Sequence, residues 1–315
     1  FMGLVGSEMC IRDRLKSIIG DYDALMIRSG TQVTADVIEA ADRLRIIGRA
    51  GVGVDNVDVP AATQRGVLVV NSPEGNTIAA AEHALAMLLS VSRHVPQAHG
   101  SMRSGAWDRK KYVGNELYKK ILGVVGLGKI GSHVARVAKA MGMEVIAFDP
   151  FISTERAQQM QVRLTTLEAL FQQADYITLH IPRTPDTENL VNADLLRTMK
   201  STARIVNCAR GGIVDEPAIA EAIESGVIAG AGLDVFASEP LAQDSPLRAV
   251  ERGLVLTPHL GASTEEAQEN VAVDVAEQIR DVLLGLPARS AVNIPGLSAE
   301  LSLIHISEPT RPMNI

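Results

Sequence analysis

The glycine-rich segment at 121–131 constrains the fold more than any other part of the sequence. It is an apolar run followed by glycines at positions 126, 128 and 131, and a helix-like stretch over 133–141 comes next. A strand, tight turn and helix in this order aim backbone N–H groups at one point, and the missing side chains let a diphosphate approach. An ordinary glycine-rich turn has the same composition, so the segment needs support from its context.

A carboxylate at the expected distance provides that context. A second apolar run, 144–148, ends at Asp149, about 20 residues beyond the glycines, where an acidic residue accepts hydrogen bonds from the ribose hydroxyls. A carboxylate there also repels a 2′-phosphate. The sequence therefore predicts a dinucleotide site that binds NAD in preference to NADP.

Strand-like and helix-like segments alternate over 15–95 and again over 120–256. Repeated βα units with short loops favour an α/β protein with two doubly wound parallel-sheet domains. One long helix is predicted from 77 to about 100, with a break and the change of domain near 105–107. Ligands of such sheets bind beyond the carboxyl ends of the strands, so chemistry is expected just after each strand.

Composition excludes several classes of function. A net charge of −7 provides no field that attracts nucleic acid or an anionic membrane, and no run of 18 apolar residues is present. The two cysteines form neither a disulfide framework nor a metal-ligand spacing. We therefore expect no metal site and a cytoplasmic, reducing environment.

Both ends of the chain depart from the regular pattern. Residues 1–14 show no helical or strand periodicity, and 301–315 break away from the segment before them. We interpret both as non-native, adapter-like sequence, the alternative being genuine irregular termini, and we exclude both from the fold argument.

Three polar side chains after successive predicted strands suit oxidation of a secondary alcohol. His259 can take the hydroxyl proton, and Arg210 presents a planar fork that matches a carboxylate. Glu239 can fix the tautomer of His259 and favour its protonated ring. Each has a simpler interpretation as a turn residue, but their shared position after strands of one sheet favours a catalytic set.

Other polar positions receive different predictions. His180 also ends a strand and, with Pro182, is predicted to line the cofactor cleft. Cys208 is interpreted as a small buried residue whose backbone meets the cofactor. The glycine-rich loop 48–56 is predicted to hold a carboxylate on its N–H groups, and 107–112 is either a solvated loop or an arm that contacts a second subunit.

Several of these segments together resemble the D-2-hydroxyacid dehydrogenase family. The similarity covers residues 15 to about 299 and rests on five segments in the family's order: 48–56, 126–131, 207–216, 231–240 and 258–264. It implies NAD-dependent oxidation of a D-2-hydroxy acid by Arg210, Glu239 and His259.

The resemblance also implies the binding residues. The residues expected to bind the cofactor, including those predicted above, are Thr77, Gly126, Gly128, Lys129, Ile130, Gly131, Asp149, His180, Pro182, Cys208, Ala209, Asp234, Gly261 and Ala262. Those expected to bind the substrate are Arg28, Val52, Gly53, Val54 and Asn76, with Arg28 and the 107–111 arm of a neighbouring subunit directed at a phosphate.

The family layout implies a discontinuous, flavodoxin-like substrate domain of residues 15–95 and 284–299. Residues 96–283 would form the Rossmann NAD domain, and the protein would be a homodimer or homotetramer. Family members begin with a strand and helix before the position of residue 15, which puts completeness of the substrate domain in doubt. A glyoxylate or hydroxypyruvate reductase and a non-catalytic NAD-sensing protein stay open as alternatives.

Overall fold

The computed structural model describes residues 8–294, which form two compact α/β units. The first unit contains the described residues up to Asn76 and from Thr264 onward, and the second is Thr77–Ser263. Each contains one parallel sheet, of three and seven strands respectively. The expected α/β class with two parallel sheets is confirmed. No helix within 8–294 combines the length and apolarity needed to cross a bilayer.

The strands are short and follow the predicted alternation closely. In chain order they are β1 (Ala24–Ile27), β2 (Ile46–Arg49), β3 (Leu68–Asn71), β4 (Ile121–Val125), β5 (Glu144–Phe148), β6 (Arg163–Leu164), β7 (Tyr176–Leu179), β8 (Arg204–Asn207), β9 (Gly230–Leu233) and β10 (Leu254–Leu256).

The helices connect these strands. They are α1 (Glu8–Ile18), α2 (Ala35–Glu39), α3 (Val59–Gln64), α4 (Thr77–Arg93), α5 (Val95–Arg103), α6 (Lys129–Ala140), α7 (Thr154–Gln159), α8 (Leu167–Gln173), α9 (Ala193–Arg197), α10 (Glu216–Glu224) and α11 (Glu265–Leu283). Short 3-10 helices cover Ile19–Asp21, Arg109–Tyr112 and Pro246–Arg248.

The first unit is a three-stranded sheet in the order β1-β2-β3 with helices on both faces. Ile47 points into a core with residues of α2 and α3. On the opposite face, a Cβ added to Gly48 would lie 2.4 Å from Cγ1 of Val275, so the glycine lets α11 approach β2 closely. Alternate residues of β2 therefore serve the two faces, as a strand buried on both sides requires.

The free edge of β3 is covered by the chain segment that follows α11. Val292 donates its N–H to the carbonyl of Val69 at 2.8 Å, and Asn71 donates to the carbonyl of Ser290 at 3.3 Å. The Asn293 side chain accepts from the N–H of Val69 at 2.9 Å. Residues 290–293 thus satisfy backbone groups that the three strands leave unpaired.

The second unit is a seven-stranded parallel sheet in the order β10-β9-β8-β7-β4-β5-β6. The chain leaves β4 through β5 and β6 in one direction and then returns to place β7 on the other side of β4. This reversal opens a crevice at the carboxyl ends of β4 and β7, where dinucleotides bind in doubly wound sheets.

Two helices belong to the opposite unit from the one expected. Met87 and Val91 of α4 pack in the core of the second unit, and the compact units divide at 76/77, whereas the predicted domain boundary is 95/96. Val275 of α11 packs on β2, and the second division lies at 263/264, whereas the predicted boundary is 283/284. Helical periodicity identifies an apolar face but not the sheet that the face covers.

Two further expectations are corrected. The helix predicted over 77–100 is broken at His94, which has a φ of +53°, because Pro96 at the start of α5 cannot donate to the preceding turn. The chain from residue 8 to residue 14 is helical and not irregular, since α1 continues into Leu15, which is buried in the core. Residues 1–7 and 301–315 lie outside the described residues.

The placement of α11 leads to a stability prediction. Val275→Ala should lower the free energy of unfolding by about 2 kcal/mol, because two buried methyl groups lose their contacts and leave a cavity. Val273→Ala is the matched control, since Val273 is 53% exposed on the same helix and Val275 is 0% exposed. Urea unfolding of both variants checks this, and equal effects would contradict the packing of α11 on β2.

Candidate active site

The glycine turn between β4 and α6 has the geometry of a phosphate-binding loop. Gly126 has a φ of +93°, and a Cβ on Gly131 would lie 1.9 Å from the carbonyl oxygen of Gly126. A Cβ on Gly128 would meet nothing within 4 Å, so space is open beside the first turn of α6. Among the described side chains, none caps that turn. Lys129 and Ile130 begin the helix, and their position at its N-terminus fits a diphosphate.

Asp149 follows β5 and faces the same turn. Its Oδ2 accepts from the N–H of Leu127 at 2.7 Å, and its Oδ1 accepts from the N–H of Phe151 at 2.8 Å. Each carboxylate oxygen keeps a further acceptor position. The side chain is therefore fixed beside the glycine turn, in the position in which ribose hydroxyls were expected to bind.

His180 follows β7, as predicted, and its ring lies against Thr178, with Nε2 2.9 Å from the hydroxyl. Burial lowers the pKa of His180 to about 4, so its ring is neutral near pH 7. A base with this pKa holds a proton poorly, which favours a lining role. The His180 carbonyl oxygen would lie 2.6 Å from a Cβ on Gly126, and Pro182 is exposed on the following loop.

His259 and Glu239 form a close pair beyond β9 and β10. Nδ1 of His259 lies 2.7 Å from Oε2 of Glu239, and Oε1 of Glu239 accepts from the N–H of Phe236 at 3.1 Å. The carboxylate is thus oriented from both oxygens and holds Nδ1–H, which leaves the lone pair on Nε2 able to accept a proton. The structure brings together two of the three predicted catalytic residues in direct contact.

Arg210 lies in the loop after β8, which packs against the loop that carries Glu239. A Cβ on Gly211 would lie 1.7 Å from the carbonyl oxygen of Phe236, so only glycine permits this approach. Buried Asn207 donates to the carbonyl of Arg210 at 2.9 Å and accepts from the N–H of Ala209 at 3.0 Å. These contacts hold the Arg210 loop beside the loop of Glu239 and His259.

Asp234 is fully buried under the segment 257–261. Its carboxylate accepts from Thr257 Oγ1 at 2.6 Å, from the N–H of Leu260 at 2.8 Å and from the N–H of Gly261 at 2.9 Å. Nε2 of His83 lies 3.1 Å from Oδ1. Burial alone would raise the pKa of Asp234, but the bonds from His83, Thr257 and Leu260 hold the pKa below its usual range. The carboxylate expected to contact the cofactor therefore anchors the loop through Gly261, the residue before Ala262.

One group of side chains within the described residues could hold a metal ion. The ligand atoms of His83, Cys208 and Asp234 lie within 4.8 Å of one another. Burial, and secondly the charge of Asp234, raise the pKa of the Cys208 thiol, so the sulfur stays protonated. A neutral thiol and a carboxylate already bonded to protein donors favour a hydrogen-bonded cluster here.

The residues predicted to bind the substrate lie in the first unit, at the carboxyl end of its sheet. Within the described residues, the N–H groups of Val52, Gly53 and Val54 donate to no protein acceptor. Asn71 holds this loop by donating to the carbonyl of Val52 at 2.6 Å. The loop has the features of an anion cradle made from main-chain groups.

Asn56, at the end of this loop, ties it to the loop that carries Arg28. The Asn56 side chain donates to the carbonyls of Arg28 at 2.9 Å and Thr31 at 2.6 Å. Asn76 carries a buried Oδ1 with no protein partner in the described part of the chain, and Thr77 begins α4. Asparagine side chains thus hold the loop at both ends, Asn71 at Val52 and Asn56 at the loop of Arg28.

Sequence reasoning missed three functional candidates. Neither His83 nor Asn56 was predicted as a site residue. Arg49 was not singled out, although a Cβ on Gly51 would lie 1.6 Å from its Nη1, so the guanidinium crosses the start of the cradle. The signal that could have identified Arg49 is a glycine, Gly51, two residues after an arginine at the end of a strand.

Comparisons with known proteins identify the family of this chain. The family described as D-isomer specific 2-hydroxyacid dehydrogenase, NAD binding domain, matches residues 85–261. The chain belongs to the D-isomer specific 2-hydroxyacid dehydrogenase family and contains its NAD-binding domain.

Individual relatives extend the similarity beyond that domain. The chain is 66% identical over 284 residues to a D-3-phosphoglycerate dehydrogenase of Synechocystis, which covers 90% of this chain and 51% of that protein. It spans about half the length of the curated relatives it matches.

Solved structures are similar to this chain over about nine-tenths of its length. A crystal structure of a Thermus thermophilus protein is 35% identical, with a TM-score of 0.84 and coverage of 92% of this chain and 91% of that one. D-lactate dehydrogenase from Aquifex aeolicus, complexed with NAD and lactic acid, is 26% identical, with a TM-score of 0.79 and coverage of 89% of each chain.

The position of Asp149 leads to a cofactor prediction. Asp149→Ala should weaken NAD binding and relax discrimination against NADP, because the ribose loses its acceptor and a 2′-phosphate meets no negative charge. Asp149→Asn separates the two effects, since it keeps an acceptor near Leu127 but removes the charge. Cofactor titrations of both variants check this, and an unchanged NAD preference would reject the role.

Proposed function

We propose that this protein catalyses NAD-dependent oxidation of D-3-phosphoglycerate to 3-phosphohydroxypyruvate, the first step of serine biosynthesis. The observation that carries the proposal is the His259–Glu239 contact of 2.7 Å beside the sheet of the family's NAD-binding domain. The relatives named D-3-phosphoglycerate dehydrogenase support the choice of substrate.

The His259–Glu239 contact leaves Nε2 of His259 as the atom that takes part in proton transfer. Since Nδ1–H of His259 donates to Glu239, Nε2 accepts the proton of the 2-hydroxyl group, and the imidazolium that forms is stabilised by the adjacent carboxylate. A bound NAD would supply the acceptor for the hydride that leaves C2 of the alcohol. In the reverse direction, His259 returns the proton to the carbonyl oxygen.

Charged groups of the substrate need local partners, because the net charge of −7 does not attract anions. Arg210 lies on the loop that packs against the loop of Glu239, and we assign its guanidinium to the carboxylate and the developing carbonyl. We assign the N–H groups of Val52–Val54 to the carboxylate as well, with Asn76 nearby. Exposed Arg28 and the neighbouring Arg49 are assigned to the phosphate.

We further propose that the protein is a cytoplasmic homodimer or homotetramer. The segment after α5 exposes Trp107 (73%) and Val113 (75%), two apolar side chains. The cations Arg109, Lys110 and Lys111 lie between them. Apolar contacts flanking a cationic turn suit an arm that docks on a second copy and adds positive charge for phosphate binding.

The role of His259 is tested by substitution. His259→Ala should lower kcat by about 100-fold to 10,000-fold, the usual contribution of a general base, while NAD affinity stays within a few-fold. Steady-state rates and NADH titration check both values. A large loss of cofactor binding would show that His259 mainly builds the site.

The substrate is tested with three acids. The purified chain, supplied with NAD and a carbonyl trap, should form NADH with D-3-phosphoglycerate and far less with D-glycerate or D-lactate. Arg28→Ala should lose about 10-fold to 100-fold in kcat/KM toward the phosphorylated acid only, because a charge-assisted hydrogen bond is removed.

The control for Arg28 is Arg43→Ala, which removes an exposed arginine paired with Asp23 in the same unit. Equal activity of wild type on all three acids would favour a reductase or dehydrogenase without a phosphate site. NAD binding without turnover of any acid would favour the NAD-sensing alternative.

A further inference from the structure

His83 of α4 makes a second histidine–carboxylate contact beneath the catalytic pair. Its Nε2 lies 3.1 Å from Oδ1 of Asp234 and 3.2 Å from Oγ1 of Thr257. Because Thr257 donates its single hydroxyl proton to Asp234, both neighbouring oxygens act as acceptors toward His83. Nε2 of His83 therefore carries a proton and donates it to this pair of oxygens.

The groups that receive this bond hold the main chain of His259. Besides the bonds of its carboxylate to Leu260 and Gly261, Asp234 accepts the N–H of His259 on its carbonyl oxygen at 2.8 Å. His259 itself has a φ of +56°, a conformation that costs free energy for a residue other than glycine and must be enforced by its surroundings.

The same helix contacts this network at a second point. The Thr257 hydroxyl lies 3.7 Å from Sδ of Met87, one turn after His83 on the same face of α4. Most of this helix face is buried against the sheet, and His83 is only 18% exposed. The buried helix α4 therefore holds Asp234 and Thr257 in place, and Asp234 in turn holds the segment 257–261.

We propose that His83 is a positioning residue for the catalytic base: through Asp234 and Thr257 it holds the segment 257–261 so that His259 aligns with Glu239 and the substrate. The inference rests on the proposed role of His259 as the base. His83 touches neither reacting atom in this assignment and acts through the main chain of the segment.

A matched pair of amides tests the hydrogen bond. A glutamine amide nitrogen reaches the position of Nε2 of histidine, whereas an asparagine amide is too short. His83→Gln should keep kcat within threefold of wild type, while His83→Asn and His83→Ala should lose about 10-fold to 100-fold. The KM for NAD should change less than kcat in the asparagine and alanine variants. His99→Ala, which removes an exposed histidine of α5, is the control.

Three outcomes would overturn the proposal. They are a kcat of His83→Ala within twofold of wild type, equal losses in the glutamine and asparagine variants, and a defect confined to the KM for NAD. The last would make His83 a cofactor-site residue. If His83→Ala does not fold, the comparison of glutamine with asparagine still decides the question.

A readout without substrate separates this inference from the proposed function. In protein labelled with 15N-histidine, the Nδ1–H proton of His259, identified by its loss in His259→Ala, reports the contact with Glu239. It should persist in wild type and His83→Gln and be lost by exchange in His83→Asn. If wild type turns over no 2-hydroxy acid, the proposed function fails and this comparison still tests the positioning role.

Discussion

The buried charge of Asp234 is the constraint on which the candidate site depends. A carboxylate without solvent contact is tolerated only when donors surround it, and here the donors come from Thr257, Leu260, Gly261 and His83. Satisfying that charge requires the chain after β10 to wrap around the side chain. The left-handed conformation of His259 is a consequence, and so is the direction in which its ring leaves the loop toward Glu239.

In both units, main-chain N–H groups are the candidate partners of anionic ligands. The glycine turn before α6 and the loop 52–54 each present N–H groups, and close approach is possible because side chains are absent or held aside. This explains how a chain with a net charge of −7 can suit anionic ligands. Fixed N–H dipoles attract an anion only within a few ångströms, so the rest of the protein surface can be acidic without weakening the binding of the anion.

Local patterns predicted most of the strands, the glycine turn and the positions of Arg210, Glu239 and His259, because each depends on short-range order along the chain. They did not predict the two-residue strand β6. The His259–Glu239 contact was expected and is present. Periodicity could not assign α4 and α11 to their sheets, since an amphipathic helix fits either core. The anchoring roles of Asp234, His83 and Asn56 were also out of reach, because their partners are 23 to 174 residues away in the sequence. Long-range polar contacts of this kind leave no periodic signature.

The segment 290–293 covers the edge of β3 and so limits pairing of the smaller sheet with strands of other chains. Without it, the backbone groups of Val69 and Asn71 would form an unpaired, apolar strand edge, which is a template for β-pairing with other chains. A fragment cut before residue 290 would lack these bonds and would expose that edge. Residues 290–293 thus protect the β3 edge against aggregation, in addition to the hydrogen bonds that they contribute to stability.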